Sequence, residues 1–314
     1  MAVAAIETPA PPSVGNALSQ KRRRKAFVGL IFVSPALLFL SAFMLYPVSN
    51  LVWLSFRDYS PLRSAATPWV GMTNYTNALT NPETYSSIWT TILFTVGAVV
   101  SQISIGLVSA VCLAAMTLHF ANRPAAVLNR FFAGFFILPF AAPAVVAAVV
   151  WKMLLDPQIG PVDAMIGAPV AWFSDYALLS VIVVDAWKTI PFVTFILYAA
   201  VMSIDHAQFE AAKLDGANAW KEFWYVTIPS ILPILVVTTA FRTVDAFTKA
   251  FDIVFATTGG GPGDQTMVFP LFIWRAAFYS LHFGAASALA VIAIIISGLA
   301  GAGLLFFLRS EPST

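Results

Sequence analysis

Five charged side chains lie within two stretches that are otherwise almost wholly apolar. Asp185 and Lys188 are three residues apart in the first stretch. Arg242 and Asp245 have the same spacing in the second stretch, and Lys249 follows Asp245 by four residues. Side chains three or four residues apart share one face of a helix. Arginine supplies planar donors and aspartate supplies acceptors, so both groups are candidates for lining a polar cavity that receives a polyol.

Aromatic side chains near these charges could offer flat faces to the CH surface of a sugar. The candidates are Trp187, Phe192, Phe247 and Phe251. The alternative is structural, because paired charges in apolar helices also hold helices or subunit interfaces together. The residue types leave both interpretations open, and transport by charge-neutralised variants would separate them.

The composition is typical of a membrane protein. Hydrophobic residues make up 59% of the 314 residues, charged residues make up 10%, and the mean hydropathy is +0.82. A soluble domain carries about 25% charged residues. The one cysteine, Cys112, lies in an apolar run and the histidines are scattered, so the sequence predicts neither a disulfide nor a metal site. No spacing indicates a nucleophile with its base, and no ATP-binding motif is present.

Apolar runs long enough to cross a bilayer occur about six times, which predicts an all-α membrane protein. Residues 1–25 are predicted to form a disordered cytoplasmic tail ending in the basic run Lys21–Lys25, and residues 26–314 form the transmembrane domain. The basic run directly precedes an apolar run, so it is interpreted as a topology signal rather than a nucleic-acid contact. The six predicted spans are Phe27–Val48, Ile88–Leu118, Phe131–Trp151, Ala177–Val201, Ile228–Ala250 and Phe283–Leu308.

The basic run also sets the orientation of the spans. It holds the N-terminus in the cytoplasm, so the connection between the fourth and fifth spans is cytoplasmic. The fourth span then runs inward and the fifth runs outward. At about 1.5 Å per residue, Asp185 and Arg242 each lie about 12 Å below the outer end of their helix. The two charged groups are therefore predicted to lie at one level.

The connection between these two spans, Gln208–Pro233, is polar but is composed like a helix. Helix formers precede Gly216, and a second helical stretch is predicted for Ala217–Tyr225. Asp205 is positioned to cap the first stretch, with Gln208 three residues on to complete a capping box. Two short helices at a membrane face predict a docking surface. The alternative is an ordinary amphipathic helix that lies on the lipid surface.

Seven residues of this connection match a known signature: Glu210, Ala211, Ala212, Asp215, Gly216, Ile228 and Pro229. They resemble the EAA loop of binding-protein-dependent ABC importer permeases, with Ile228 where leucine is commoner. In that family the loop, here about residues 203–227, sits in a cleft of a separate ATPase and transmits its motion to the membrane helices. The resemblance implies that Glu210 and Asp215 face the ATPase, that Gly216 makes the sharp turn and that Pro229 fixes the joint with the fifth span.

Other stretches extend the resemblance to sugar-type permeases: Leu138–Trp151, Gly160–Asp163, Phe241–Phe247 and Thr258–Gly263. The resemblance implies the type I ABC importer permease fold, in the cell membrane, with both termini in the cytoplasm. It also implies a second homologous permease, two ATPase subunits that bind ATP and Mg, an extracytoplasmic solute-binding protein and a carbohydrate substrate. This chain would then hold no cofactor and would not be an enzyme by itself.

One other transport mechanism stays open at this point. An ion-gradient-driven secondary transporter would use the buried charges as an ion or proton relay and would work without partners. Many such transporters carry an internal repeat, and none is evident here. The glycine run Gly259–Gly263 lacks the lysine of a phosphate loop. It is predicted to be a flexible turn on the outer side, where it could contact a docked binding protein.

Overall fold

The computed structural model describes residues 14–61, 67–120 and 134–309, and helices make up most of this part of the chain. The chain divides into two compact units, residues 1–53 and 54–314. Among these described residues, five helices are long and apolar enough to cross a membrane, or six if one sharply bent pair is counted as a single span. These helices confirm the predicted all-α membrane protein with about six spans.

The first unit is dominated by one long apolar helix. It comprises Val14–Leu40, a π-helical turn at Ser41–Leu45 and Tyr46–Ser55, whose last residues belong to the second unit. Residues 14–25 are therefore helical, where the sequence predicted a disordered tail, and residues 1–13 lie outside the described residues. Residues 17–25 are rich in good helix formers and run directly into the apolar stretch, which explains the early start.

The second unit carries the remaining helices. Its long helices correspond to the second, fourth, fifth and sixth predicted spans: Pro82–Phe120, Ala177–Met202, Ile228–Thr257 and Phe283–Arg309. Its shorter helices are Thr73–Thr80, Leu138–Ala141, Ala144–Leu154, Pro161–Ile166, Trp172–Asp175, His206–Leu214, Ala219–Glu222 and Phe269–Trp274.

The predicted third span is a broken helix pair rather than one straight helix. Gly134–Ala141 and Ala144–Leu154 are bent by 101° relative to each other. Ala142 between them is extended, with ψ at 135°, and Pro143 precedes the second helix. Proline lacks an N–H donor and disfavours helical geometry in the residue before it, so the break falls there. The predicted start of this span, Phe131, lies outside the described residues.

The second and fourth spans pack closely at two glycines. A Cβ placed on Gly97 would lie 2.7 Å from Ile182 Cδ1, and one on Gly106 would lie 2.7 Å from Val193 Cγ1. Small residues let helix backbones approach within a membrane, where packing rather than water drives association. This contact holds the two helices at a distance from which their polar side chains can meet.

The segment after the fifth span re-enters the helix bundle. Phe269 is fully buried, and its backbone N–H donates a 2.6 Å hydrogen bond to Thr91 Oγ1 of the second span. The glycine run before it is held in place, because Arg275 Nη2 donates a 2.8 Å hydrogen bond to the carbonyl oxygen of Gly259. The run predicted as a flexible turn is thus pinned by contacts that the local sequence does not indicate.

Candidate transport and coupling sites

The charged groups of the fourth and fifth spans meet and form one polar network. Arg242 is 4% exposed, and its Nη2 lies 3.9 Å from Asp185 Oδ2. The same guanidinium pairs with Asp245 on its own helix. Lys249 Nζ lies 2.7 Å from Asp245 Oδ1, and its side chain is 70% exposed, so the network extends from the buried interior to an open edge. Asp185 and Arg242 thus meet at one level, as their depths predicted.

Gln102 of the second span completes this network. Its Nε2 donates a 2.7 Å hydrogen bond to Asp185 Oδ2, and its Oε1 accepts a 3.0 Å hydrogen bond from Arg242 Nε. Gln102 is fully buried, so these two bonds satisfy an amide that could not reach water. Gln102 joins the two cations, Arg242 and Lys249, and the two carboxylates, Asp185 and Asp245. The five side chains come from three spans, and their formal charges sum to zero. Paired and hydrogen-bonded charges are the form in which ions are tolerated in a low-dielectric interior.

Lys188 turns towards the broken third span. Its Nζ donates a 3.4 Å hydrogen bond to the carbonyl oxygen of Phe140 and lies 5.3 Å from the centre of the Phe140 ring. Phe140 stacks on Phe192 with 5.1 Å between ring centres, and Phe192 lies 5.9 Å from Phe241. Phe241 is 53% exposed. We call Phe140, Phe192 and Phe241 the aromatic row, and it lies on an open side of the second unit.

The other aromatic candidates lie elsewhere. Trp187 meets Trp151 edge to face at 5.8 Å and lines a separate apolar cavity of about 520 Å³. Phe247 is 6% exposed and packs in a hydrophobic cluster with residues of the sixth span. Phe251 stacks on Phe255 at 5.2 Å. In this structure, Phe247 and Phe251 contribute to packing, whereas Phe192 is the predicted ring that lies beside the charged groups.

The connection between the fourth and fifth spans begins with a capped helix. Asp205 Oδ1 accepts a 3.0 Å hydrogen bond from the backbone N–H of Ala207, at the start of the helix His206–Leu214. The predicted N-cap is therefore present. The side-chain oxygen of Gln208 accepts a 3.4 Å hydrogen bond from Ser230 Oγ at the base of the fifth span, instead of closing the predicted capping box.

A tight turn follows at Gly216, whose φ is +76°. The backbone N–H of Ala217 donates to the carbonyl of Ala212 at 2.9 Å, which is the longer bond of a Schellman helix end. Glycine adopts positive φ without the strain that a Cβ would cause. Asn218 then caps the next helix, since its Oδ1 accepts a 3.0 Å hydrogen bond from the N–H of Lys221. The sharp turn that the resemblance assigned to Gly216 is present.

One side of this helix is fastened to the spans and the other is open. Phe209 packs against a buried cluster that includes Ile204 of the fourth span and Ile231 of the fifth. Glu210 and Asp215 are exposed and are not part of that cluster. Of the other signature residues, Ala211, Gly216 and Pro229 are exposed, and Ala212 and Ile228 are half-buried.

Pro229 does not form a joint between separate helices. Ala219–Glu222 passes through a π-helical turn at Phe223–Thr227 directly into the fifth span, and the N–H of Ile228 bonds to the carbonyl of Phe223. A proline ring normally clashes with the carbonyl four residues earlier, and a widened turn relieves that clash. Pro229 therefore lies in a continuous helix, so motion of the connection would be carried rigidly into the fifth span.

Three participants were not singled out from the sequence: Gln102, Phe140 and Asn218. A neutral amide in an apolar run carries no charge signal, and Gln102 is identified only by its position beside Asp185 and Arg242. Asn218 did have a local signal, because it directly precedes a helical stretch. Within residues 14–61, 67–120 and 134–309, no three His, Cys, Asp or Glu side chains converge to hold a metal ion.

Comparison with known proteins identifies a family of membrane transport components. Residues 103–309 match the family described as binding-protein-dependent transport system inner membrane component. The chain is 29% identical over 289 residues to the trehalose/maltose transport system permease protein MalF of Thermococcus litoralis, covering 90% of this chain and 93% of that protein.

Solved structures share the fold. One is a bacterial ABC transporter involved in the import of the acidic polysaccharide alginate, with a TM-score of 0.77 and 18% identity, covering 93% of this chain and 98% of that chain. Another is the bacterial alginate ABC transporter in complex with alginate pentasaccharide-bound periplasmic protein, with a TM-score of 0.75 and 17% identity, covering 90% of this chain and 94% of that chain.

The multi-pass helical fold and the capped connection define a permease subunit of a membrane importer. The chain belongs to the binding-protein-dependent transport system inner membrane component family. It is therefore a membrane-spanning component of a transport system that depends on a binding protein. The ion-gradient-driven alternative is set aside, because the family to which the chain belongs is a binding-protein-dependent transport system.

Proposed function

We propose that this chain forms half of the translocation pathway for a sugar or related polyol and couples it to a separate ATPase. The observation that carries the proposal is the neutral polar network beside the aromatic row, on an open side of the second unit. Hydroxyl groups need donors and acceptors, and the CH faces of sugars pack on aromatic rings. The similarity to the trehalose/maltose transport system permease protein MalF supports the same solute class.

The network divides into two parts with different roles. Gln102, Asp185 and Arg242 are buried and saturate one another, so they act as positioning residues that hold three spans together. Asp245 and Lys249 form the edge that a solute reaches, since the Lys249 side chain is 70% exposed. Lys188 and Phe192 line the same path through the aromatic row.

The open side of the second unit is the proposed contact surface for a partner subunit. The aromatic row borders an apolar cavity of about 460 Å³, and large exposed apolar surface indicates a lipid or protein contact. A second, homologous permease facing this side closes the pathway around the solute. A solute-binding protein delivers the sugar from outside the cell.

Two ATPase subunits in the cytoplasm bind ATP and Mg²⁺, and this chain binds neither. The helix His206–Leu214 presents Glu210 and Asp215 to one ATPase, while Phe209 transmits force to the fourth and fifth spans. Because the connection runs without a joint into the fifth span, closure of the ATPases tilts that span. Tilting opens the pathway outward, and return of the ATPases opens it inward.

This mechanism requires the connection of residues 203–227 to be cytoplasmic. In this proposal residues 1–25 form a cytoplasmic segment whose basic run sets the topology, and residues 26–314 form the transmembrane domain with the C-terminus inside. Both termini are therefore cytoplasmic in the plasma membrane of the cell.

Reconstitution tests the function directly. The complete importer, assembled from this chain and its permease, ATPase and binding-protein partners, is placed in proteoliposomes with radiolabelled maltose or trehalose outside. Uptake should require ATP at the ATPase side and should persist with an ionophore present. Uptake by this chain alone, or uptake that an ionophore abolishes, would contradict the proposal.

A further inference from the structure

We infer that a cleft at the end of the helix bundle opposite the coupling connection is a second saccharide site, and this inference rests on the proposed function for its orientation. The cleft has a volume of about 760 Å³, within the range of about 300–1,000 Å³ typical of small-molecule sites. Its walls come from the segment before the second span, the first turns of that span, the re-entrant segment and the start of the sixth span.

The cleft is separate from the polar network and from the coupling connection. Ser87 lines the cleft, and Gln102 lies fifteen residues further along the same helix, about 22 Å deeper. Leu118, near the far end of that helix, lines the cavity beside Phe209. Ser87 and Leu118 are about 46 Å apart along the helix axis. A cytoplasmic coupling connection therefore places the cleft at the outer face, where an importer receives its solute.

Three asparagines supply the cleft with unused donors and acceptors. Asn74 Nδ2 donates to the carbonyls of Ser55 and Arg57 at 2.8 and 2.9 Å, which leaves its side-chain oxygen as an acceptor. Asn81 Oδ1 accepts from the N–H of Glu83 at 2.9 Å, which leaves its amide as a donor. Asn77 is exposed at the rim between them. A sugar hydroxyl both donates and accepts, so this alternation of groups suits neighbouring hydroxyls.

One buried hydroxyl at the cleft has no protein partner. Thr84 lines the cleft, is 1% exposed, and its Oγ1 is buried without a hydrogen bond from any residue that the structure describes. A buried hydroxyl that lacks a partner costs stability, and such groups are rare in folded proteins. Rotation of the Thr84 side chain towards the cleft would let a solute hydroxyl satisfy this group, and this argument is independent of the asparagines.

Aromatic surface and charge narrow the solute class. Trp274 and Tyr279 line the cleft, and Tyr279 is 83% exposed, so a flat ring is available to the CH face of a sugar. The cation Arg275 is engaged by Asp264 at 3.2 Å and by the carbonyl of Gly259. Glu83 leaves the lining with a surplus negative charge, which disfavours anions. The cleft therefore fits a neutral saccharide of about disaccharide size.

Saturation-transfer NMR on the complete chain in lipid nanodiscs tests this site, with maltose and trehalose as probes at millimolar concentration. With the native chain, magnetisation should pass from the protein to the CH protons of the sugar. Asn77→Leu and Tyr279→Leu should each weaken binding roughly 3- to 10-fold, by removing a hydrogen-bonding amide or an aromatic face. Thr80→Leu and Phe278→Leu are matched controls on the same surface, outside the cleft lining, and should leave the transfer unchanged.

Several results would overturn the inference. No transfer from the native chain to either sugar would do so, and so would transfer that survives both cleft substitutions, because that signal arises elsewhere. Loss of binding-protein capture by Asn77→Leu with unchanged sugar transfer would assign the cleft to a protein contact. Normal ATP-driven uptake combined with any of these results rejects the cleft alone, whereas failed uptake with cleft binding intact rejects the proposed function alone.

Discussion

The Nε of Arg242 donates a 3.0 Å hydrogen bond to the side-chain oxygen of Gln102, 140 residues earlier in the chain. This bond crosses from the fifth span to the second and lies wholly within the helix bundle. Gln102 uses its other end on Asp185 of the fourth span. One neutral amide thus orients the two charges that connect the transport helices.

Arg242→Gln should destabilise the protein. It leaves Asp185 and Asp245 close together without their common cation, and breaking a buried ion pair costs about 3–5 kcal/mol. Thermal unfolding of the purified variant in detergent measures the loss. The double variant Arg242→Gln with Asp185→Asn should recover part of it, because one unpaired charge is removed. Additive losses in the double variant would show that the two residues are not coupled.

Lys249→Gln should leave stability unchanged and raise the KM for sugar uptake. The lysine side chain is 70% exposed, so its ion pair with Asp245 contributes little to folding, roughly 0–1 kcal/mol. In the proposed pathway Lys249 is the accessible edge of the polar network, so its removal is expected to weaken solute binding. Lys152→Gln, an exposed lysine at the end of the broken third span, is the matched control. An unaltered KM in Lys249→Gln, equal to that of the control, would remove Lys249 from the pathway.

Glu210→Lys should uncouple the importer while leaving the chain in the membrane. Glu210 is exposed, whereas its neighbour Phe209 packs in a buried cluster, so we expect reversal of the Glu210 charge to disturb the ATPase contact rather than the fold. Co-purification of the ATPase and sugar-stimulated ATP hydrolysis are the measurements. Asp175→Lys, an exposed reversal at a different connection, controls for net charge. Full ATPase capture and uptake by Glu210→Lys would exclude this residue from coupling.

Gly216→Val should impair coupling through backbone strain alone. A Cβ at this position meets no atom within 4 Å, but the φ of +76° is costly for a branched residue, by about 1–2 kcal/mol. Limited proteolysis of the connection should become faster, and uptake by the assembled importer should become slower. Gly298→Val also adds a side chain to open space, at a glycine without positive φ, and serves as the control. If the two variants behave alike, the backbone at Gly216 can relax to a conformation that valine adopts without loss of coupling.

Features that depend on neighbours along the chain were determined by the sequence itself. The composition implied membrane spans, the hydrogen-bond-accepting carboxylate of Asp205 implied a cap, and Gly216 implied a turn, because each rests on interactions within a few residues. The break of the third span also has a local cause in Pro143, although the apolar run around it predicted a straight helix. The family resemblance of the Glu210–Pro229 stretch is local for the same reason.

Features that depend on distant contacts were decided only by the tertiary structure. Phe241 and Phe247 lie on the same helix, yet Phe241 is 53% exposed on the open side and Phe247 is 6% exposed in a cluster with the sixth span. An apolar helix in lipid has no polar face to indicate which side packs inward. Gln102 joins the network, and Phe269 returns to the second span, because helix packing brings them to partners far away in sequence.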